Sequence, residues 1–456
     1  MAARSDVVVV GAGLAGLMAA RALVDGGADV IVLEAQDRVG GRLLSEQVGD
    51  AIMDLGGQWL APDQRRAWRL VHDFGLTTFP TYHEGAKVLQ LGRKRSQYRG
   101  VIPRVNPLAL AQLQLALLRI DWLRKRISLE APWTGARAAR LDARSVADLQ
   151  RTIPSKAARA LVDVSVRAVF GVETHELSLL HFLFYAHAGG GLMRLLEVEG
   201  GAQHTRLVGG AQQLAAGLAR ELGDRVRLST PVRRIDHGDD GVVAHTDDAR
   251  FAADRCVIAV PPALVAELAF DPPLPQTRAP LGTTGRTIKC ILTYERAHWR
   301  EAGQSGELVA TDGPVCFTYD NSGPRGGQPA IVAFLEGDAA RAWSRTSTRA
   351  RRRAVEDELV RGFGSWARAS TGYVEKDWTV DPWARGCPVH ALAPGGVLAL
   401  GPLVRAPVGR LHFAGTETAT EWCGYMEGAL ESGERAAAEI LATQAASAAP
   451  RSEDVP

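Results

Sequence analysis

Residues 6–34 read DVVVVGAGLAGLMAARALVDGGADVIVLE, and this stretch decides the fold. Val7 to Val10 is a β-branched run, the pattern of a strand buried on both faces. Gly11-Ala12-Gly13-Leu14-Ala15-Gly16 follows as a G-x-G-x-x-G turn. Gly11 permits the tight turn, Gly13 admits a pyrophosphate close to the backbone, and Gly16 lets the next helix pack on the strand. Apolar Leu14, Leu17, Met18, Leu23 and Val24 predict a helix from about Ala15 to Asp25, ended by Gly26-Gly27. Its N-terminus offers free N–H groups and a positive dipole end to phosphates. Asp29 to Leu33 is a second buried strand closed by Glu34, whose carboxylate suits a ribose diol and repels a 2′-phosphate. Together these make a βαβ nucleotide-binding unit of a Rossmann-like α/β fold.

NAD and FAD both use this fingerprint, and the next residues separate them. Arg38-Val39-Gly40-Gly41-Arg42 comes soon after Glu34, then Asp54-Leu55-Gly56-Gly57-Gln58-Trp59. Two Gly-Gly pairs suggest backbone packed against a second part of a cofactor, with Arg42 in reach of a pyrophosphate. From about Tyr82 the pattern turns helical, over 107–127, 142–151, 154–169 and 175–187. Strand signals return near 226–228, 242–244, 256–260, 286–294 and 330–335, and a charged amphipathic helix is expected at 348–363. Leu411 to Ala414 reads as a strand, 424–443 as a long helix, and 445–456 as a disordered tail.

Composition narrows the function. The chain has 456 residues, 46% hydrophobic and 23% charged, which suits a globular protein with ample core. Fifty-three basic against 51 acidic residues leave +2, which argues against nucleic acid as a partner. Five cysteines, an odd number, match no zinc spacing, so no metal is expected and a reduced, cytoplasmic setting is. No signal-peptide layout and no apolar stretch of about 20 residues is present.

The sequence resembles the flavin-containing amine oxidases, the monoamine oxidase and putrescine oxidase group, from about Asp6 to Leu441. The anchors are the N-terminal fingerprint, Arg38 to Arg42, Asp54 to Gly57, Leu207 to Gly210, and Thr287 to Cys290. Phe413 to Ala419, Gly424 to Ala429 and Ser432 to Arg435 complete them. The resemblance implies a discontinuous FAD domain of the GR2 type, over 1–79, 208–278 and 382–444. An α+β substrate domain is inserted as 80–207 and 279–381. The membrane-bound relatives carry a C-terminal anchoring helix that the sequence does not show, so a soluble enzyme is expected, and a homodimer as in many relatives. The implied reaction is oxidation of a small amine by O2 to an imine, then an aldehyde, ammonia and hydrogen peroxide. Rivals are a flavin desaturase or dehydrogenase of a non-amine, and a non-catalytic flavoprotein.

Residue roles follow from the same resemblance. Cofactor contacts fall to Gly11, Gly13, Leu14, Ala15, Gly16, Glu34, Ala35, Arg42, Gly56, Gly57, Gln58 and Trp59. Val232 belongs to the adenine side, and Gly415, Thr416, Glu417, Tyr425 and Met426 to the flavin side. Lys289 stands in an otherwise apolar strand, where an ammonium must be paired, neutralised, functional or at an edge. The resemblance makes it catalytic, holding a water beside the flavin during the reaction with oxygen. Tyr425 is the second catalytic residue, one wall of an aromatic cage for the amine. Gln203, Trp422 and Tyr185 are expected at the substrate pocket, and His187 or His204 is a candidate base. Gly386-Cys387-Pro388 keeps the Gly-Cys that carries a thioether-linked flavin in membrane-bound relatives and replaces the tyrosine after it. That removes the second cage wall from its usual place. It leaves covalent attachment at Cys387 open and favours noncovalent FAD.

Overall fold

The computed structural model describes residues 4–101, 103–275 and 282–448. The valine run forms the strand Ser5–Val10, buried from Val7 onward. It pairs in parallel with Val30–Leu33 on one side and Arg250–Ile258 on the other, so neither edge nor face meets water. Val226–Arg227 extends the sheet beyond Val30–Leu33, and Leu411–Phe413 joins Arg250–Ile258 in parallel. Gly241–Thr246 and Val232–Gly238 continue it antiparallel, with Ala269–Asp271 outermost.

The helix Leu14–Asp25 buries Leu14, Leu17, Met18 and Leu23 against the last helix, Met426–Ala448. The approach is at backbone distance: a Cβ added to Gly433 would lie 2.4 Å from the carbonyl oxygen of Ala15. The two ends of the chain are thereby joined beside one sheet. The tail reading needs correction here. The last helix continues to Ala448, because Ala445, Ala446 and Ala448 have the highest helix propensity. Residues 449–456 lie outside the described residues.

A second sheet runs Gly372–Asp377, Thr287–Thr293, Ala330–Glu336, Phe317–Asp320, Gln304–Ala310, Ala86–Leu91 and Lys94–Tyr98. Helices Pro107–Arg124, Lys156–Phe170 and Leu179–Ala188 accompany it. The helix expected at 142–151 is the shorter Val146–Gln150, and a separate helix, Ala138–Asp142, precedes it. The break is a capping box in which Ser145 and Asp148 each bond the other's backbone N–H. The helix expected from 175 starts at Leu179, because the Ser178 side chain caps it. No helix among the described residues is long and apolar enough to cross a membrane.

Candidate functional site

One cavity of about 400 Å³ begins at the glycine turn and reaches walls contributed by the second sheet. At the turn Gly11 has φ +102° and donates its N–H to Leu33 at 2.8 Å. A Cβ on Gly16 would lie 2.0 Å from the Gly11 carbonyl oxygen, so helix and turn are in contact there. Gly16 accordingly does not line the cavity; its role is packing, a correction to its place among the cofactor contacts. Gly13 is the opposite case: it lines the cavity, and a Cβ there would meet nothing within 4 Å. Leu14, Ala15, Glu34, Ala35 and Val232 complete this end. The Glu34 carboxylate accepts from Ala12 N at 2.6 Å and Gln36 N at 2.9 Å. Burial raises its pKa, while those two donors and Arg38 pull it back.

Arg42 lines the cavity, but its guanidinium is held by the chain itself. Nη1 and Nη2 grip the Glu417 carboxylate at 2.7 and 3.0 Å, and Nη1 also donates to the Pro388 carbonyl at 2.7 Å. This grip clamps the N-terminal loop to the C-terminal block. Burial works against the Glu417 carboxylate, and Arg42 outweighs it, so the acid is held below its ordinary range. Gly415, Thr416 and Met426 line the same wall.

At the far end stands Lys289. Its strand, Thr287–Thr293, is wholly buried and paired on both sides, which removes the edge-strand alternative. Nζ donates to Gly56 O at 2.9 Å and to Gln58 Oε1. It also lies 5.4 Å from the Trp59 ring centre and 5.5 Å from that of Phe334. Burial brings its pKa down to about 7; Asp54 pulls upward and Arg206 pushes further down. Gly56, Gly57, Gln58 and Trp59 all line the cavity.

That depressed pKa makes a stability prediction. Between about pH 7 and the unfolded value of 10.5 the unfolded chain binds a proton at Lys289 that the folded chain does not, so stability rises with pH. The Lys289→Met variant lacks this contribution. Its unfolding free energy in the cofactor-free form should exceed wild type by most at pH 6–7, and the gap should close toward pH 10. The interval corresponds to at most about 5 kcal/mol. Chemical denaturation of both proteins across that range checks it; a pH-independent gap contradicts it.

The substrate end is aromatic. Tyr425 lines the cavity, 6.1 Å from the Tyr185 ring, which also lines it. Trp422 does not line it, contrary to expectation. Its backbone has φ +49° and donates to Ala188 O at 3.0 Å, turning the indole behind Tyr425 in an edge-on contact at 5.0 Å. It braces the tyrosine. Gln203 lines the cavity with Nε2 on Leu195 O at 3.0 Å and Oε1 without a hydrogen-bond partner among the described residues. Neither His187 nor His204 lines it; their Nδ1 atoms lie 2.9 Å from Ile127 O and Thr205 Oγ1. Cys387 and Pro388 line it, and desolvation pushes the Cys387 thiol up to about 12.

Sequence reasoning missed Phe317, Tyr319, Phe334 and Trp378, all cavity-lining. Phe317 and Tyr319 alternate along the strand Phe317–Asp320, a period-2 signal for one face. What that face would meet was not in the pattern. Trp378 donates its indole N–H to Leu55 O at 2.8 Å, tying the second sheet to the Gly-Gly loop.

The profile of the family described as flavin containing amine oxidoreductase matches residues 14–441. The chain is 36% identical to human amine oxidase [flavin-containing] B over 456 residues, covering 97% of this chain and 87% of the other. It is 36% identical to amine oxidase [flavin-containing] of Danio rerio over 468 residues, covering 99% and 90%. Cyclohexylamine oxidase of Brevibacterium oxydans superposes with a TM-score of 0.93 at 33% identity, covering 97% of this chain and 100% of that one. Wild-type putrescine oxidase bound to putrescine superposes at 0.91 and 32% identity, covering 96% and 99%.

Proposed function

The chain belongs to the flavin-containing amine oxidoreductases and is an FAD-dependent amine-oxidising enzyme; from that premise we propose the residue roles, the products and the mode of cofactor binding. The residues fit the cofactor. Gly13 leaves open space at a helix N-terminus that carries no side-chain cap, where a pyrophosphate is best received. Glu34 and Val232 receive the adenosine end, and Gly56 to Trp59, Lys289, Thr416 and Met426 the isoalloxazine end. The segments 1–79, 208–278 and 382–444 form the FAD domain, with 80–207 and 279–381 as the substrate domain. The chemistry FAD supplies when bound is acceptance of two electrons with the amine's α-hydrogen, O2 being the final acceptor and hydrogen peroxide its product.

The protein's part is to bind, orient and exclude water. Tyr425 and Tyr185 present aromatic faces to the amine, an attraction of about 0.5–2 kcal/mol that orients its nitrogen. Gln203 Oε1 accepts an N–H from that nitrogen. The apolar walls favour the uncharged amine, so no side chain has to act as a strong base. The imine leaves and hydrolyses to an aldehyde and ammonia. Lys289, fixed by Gly56 and Gln58, holds a water where oxygen is reduced, and its protonated form sets a positive charge there. The observation that carries this reading is a buried lysine and a pair of tyrosines lining one cavity with an open glycine turn.

Pro388 after Cys387 removes a backbone N–H and fixes the local chain, which favours a noncovalent cofactor. Five free cysteines support a cytoplasmic location, and a homodimer is the proposed assembly. One purification tests the function. The protein should be yellow, acid precipitation should release the pigment, and an amine should bleach it without oxygen and yield peroxide with it. Colour left in the pellet overturns noncovalent binding; a pigment untouched by any amine overturns the proposed substrate chemistry.

A further inference from the structure

Two acceptors hold Lys289: Gly56 O, at 2.9 Å, and Gln58 Oε1. Nζ is tetrahedral and Cε fills one position, so a single position is left over. It carries a proton when the lysine is charged and a lone pair when it is neutral. The choice depends on which end of the Gln58 amide faces Nζ, because the oxygen only accepts and the NH2 only donates.

The residues behind Gln58 make that choice. Gln58 Nε2 donates to Asn321 Oδ1 at 3.0 Å, and Asn321 Nδ2 donates to Met53 Sδ at 3.6 Å. All three residues are no more than 1% exposed, so bulk water does not compete. A thioether is a weak acceptor and has no proton to give. Turning both amides round would point Asn321 Oδ1 at that sulfur and leave a buried acceptor unpaired, which is costly. Met53 therefore orients Asn321, Asn321 orients Gln58, and Gln58 turns its oxygen to Lys289. The Asn321 backbone is fixed without help from its side chain. Its N–H donates to Ala330 O at 2.8 Å. The adjacent Ser322 donates its N–H to Asp320 Oδ1 and accepts from Arg206 Nη1, both at 2.8 Å.

We propose that Asn321 is a positioning residue for the reaction with oxygen: through Gln58 it keeps Lys289 a hydrogen-bond donor and leaves one N–H of the ammonium free to hold the water beside the cofactor. Asn321 does not line the cavity, so it acts on the chemistry through Gln58. The proposal rests on the role given to Lys289 above. When the Asn321 oxygen is removed, the Gln58 amide can turn its NH2 to Nζ, and an ammonium facing a donor gives up its proton at lower pH. Burial brings the Lys289 pKa to about 7, with Asp54 and Cys387 favouring the charge and Arg206 opposing it. A lysine so balanced responds to the gain or loss of one hydrogen bond.

Stopped-flow measurements on the FAD-loaded enzyme test it. Leucine matches asparagine in size and accepts nothing. Asn321→Leu should slow reoxidation by oxygen about tenfold at about pH 7, while anaerobic reduction by an amine stays within about threefold of wild type. Added to Gln58→Met, it should slow reoxidation by no more than about a further twofold, since its route to Lys289 is already cut. Asn321→Asp keeps the acceptor and adds a charge, so the pH at which reoxidation falls to half should rise by about half a unit or more. Unaltered reoxidation in Asn321→Leu overturns the proposal, as does an equal loss in both half-reactions or an undiminished loss beside Gln58→Met. Asn321→Asp decides if the leucine variant does not fold, and an unmoved pH profile then overturns the proposal. Unaltered reoxidation in Lys289→Met overturns instead the role of Lys289 on which the proposal stands.

Discussion

Lys289→Met should slow reoxidation of the reduced enzyme by oxygen about 100-fold, while anaerobic reduction by an amine stays within about threefold of wild type. A factor of 100 is about 2.7 kcal/mol of barrier, the size expected when a preorganised charge is removed from a water-poor site. Methionine has nearly the length of lysine and no charge, so it fills the same space between Trp59 and Phe334. The change therefore isolates electrostatics from packing. Asp54 keeps the hydrogen bonds from Ser45 at 2.6 Å and Ala211 at 2.8 Å, and the field of Arg206, so it is not left bare. Stopped-flow mixing of reduced protein with oxygenated buffer reads the first rate, and anaerobic mixing with an amine reads the second. Unaltered reoxidation would remove Lys289 from the oxygen half-reaction; equal loss in both would make it a general structural element.

Gly13→Val should give a folded, colourless protein with FAD affinity reduced more than 100-fold. Gly13 has φ −72° and ψ 173°, a conformation valine adopts without strain, and a Cβ there meets nothing within 4 Å. Nothing in the polypeptide resists that atom, so the melting temperature of the cofactor-free form should stay within about 2 °C of wild type. The bound pyrophosphate is what the new side chain displaces. Gly16→Val is the contrasting case, because its Cβ would collide with the Gly11 carbonyl and lower stability as well. Titration of both apoproteins with FAD, followed by thermal unfolding, separates the outcomes. Normal colour and affinity in Gly13→Val would remove this turn from the cofactor site.

Much of the N-terminal unit was legible because its signals are local. A valine run, a glycine turn and a 3.6-residue apolar period each act within a few residues, and Ser5–Val10, Leu14–Asp25 and Val30–Leu33 form where those signals stand. The helix at 348–363 was equally plain and begins and ends at those residues. The misreadings arise where a nearby side chain overrides the period. The capping box of Ser145 and Asp148 delays the helix expected from 142 to Val146, and an alanine-rich end carries the last helix past its expected stop.

The amino-acid sequence by itself determined the nucleotide-binding turn, the acid that closes the second strand, and the presence of a lysine in an apolar strand. Those depend on backbone conformation and burial period, which neighbouring residues set. Only the tertiary structure decided that Arg42 clamps Glu417, that Trp422 stands behind Tyr425, and that Gln58 and Asn321 stand in line behind Lys289. Each of those joins residues far apart in the chain. Their meeting depends on which strands pair and which faces close together, and no local signal carries that information.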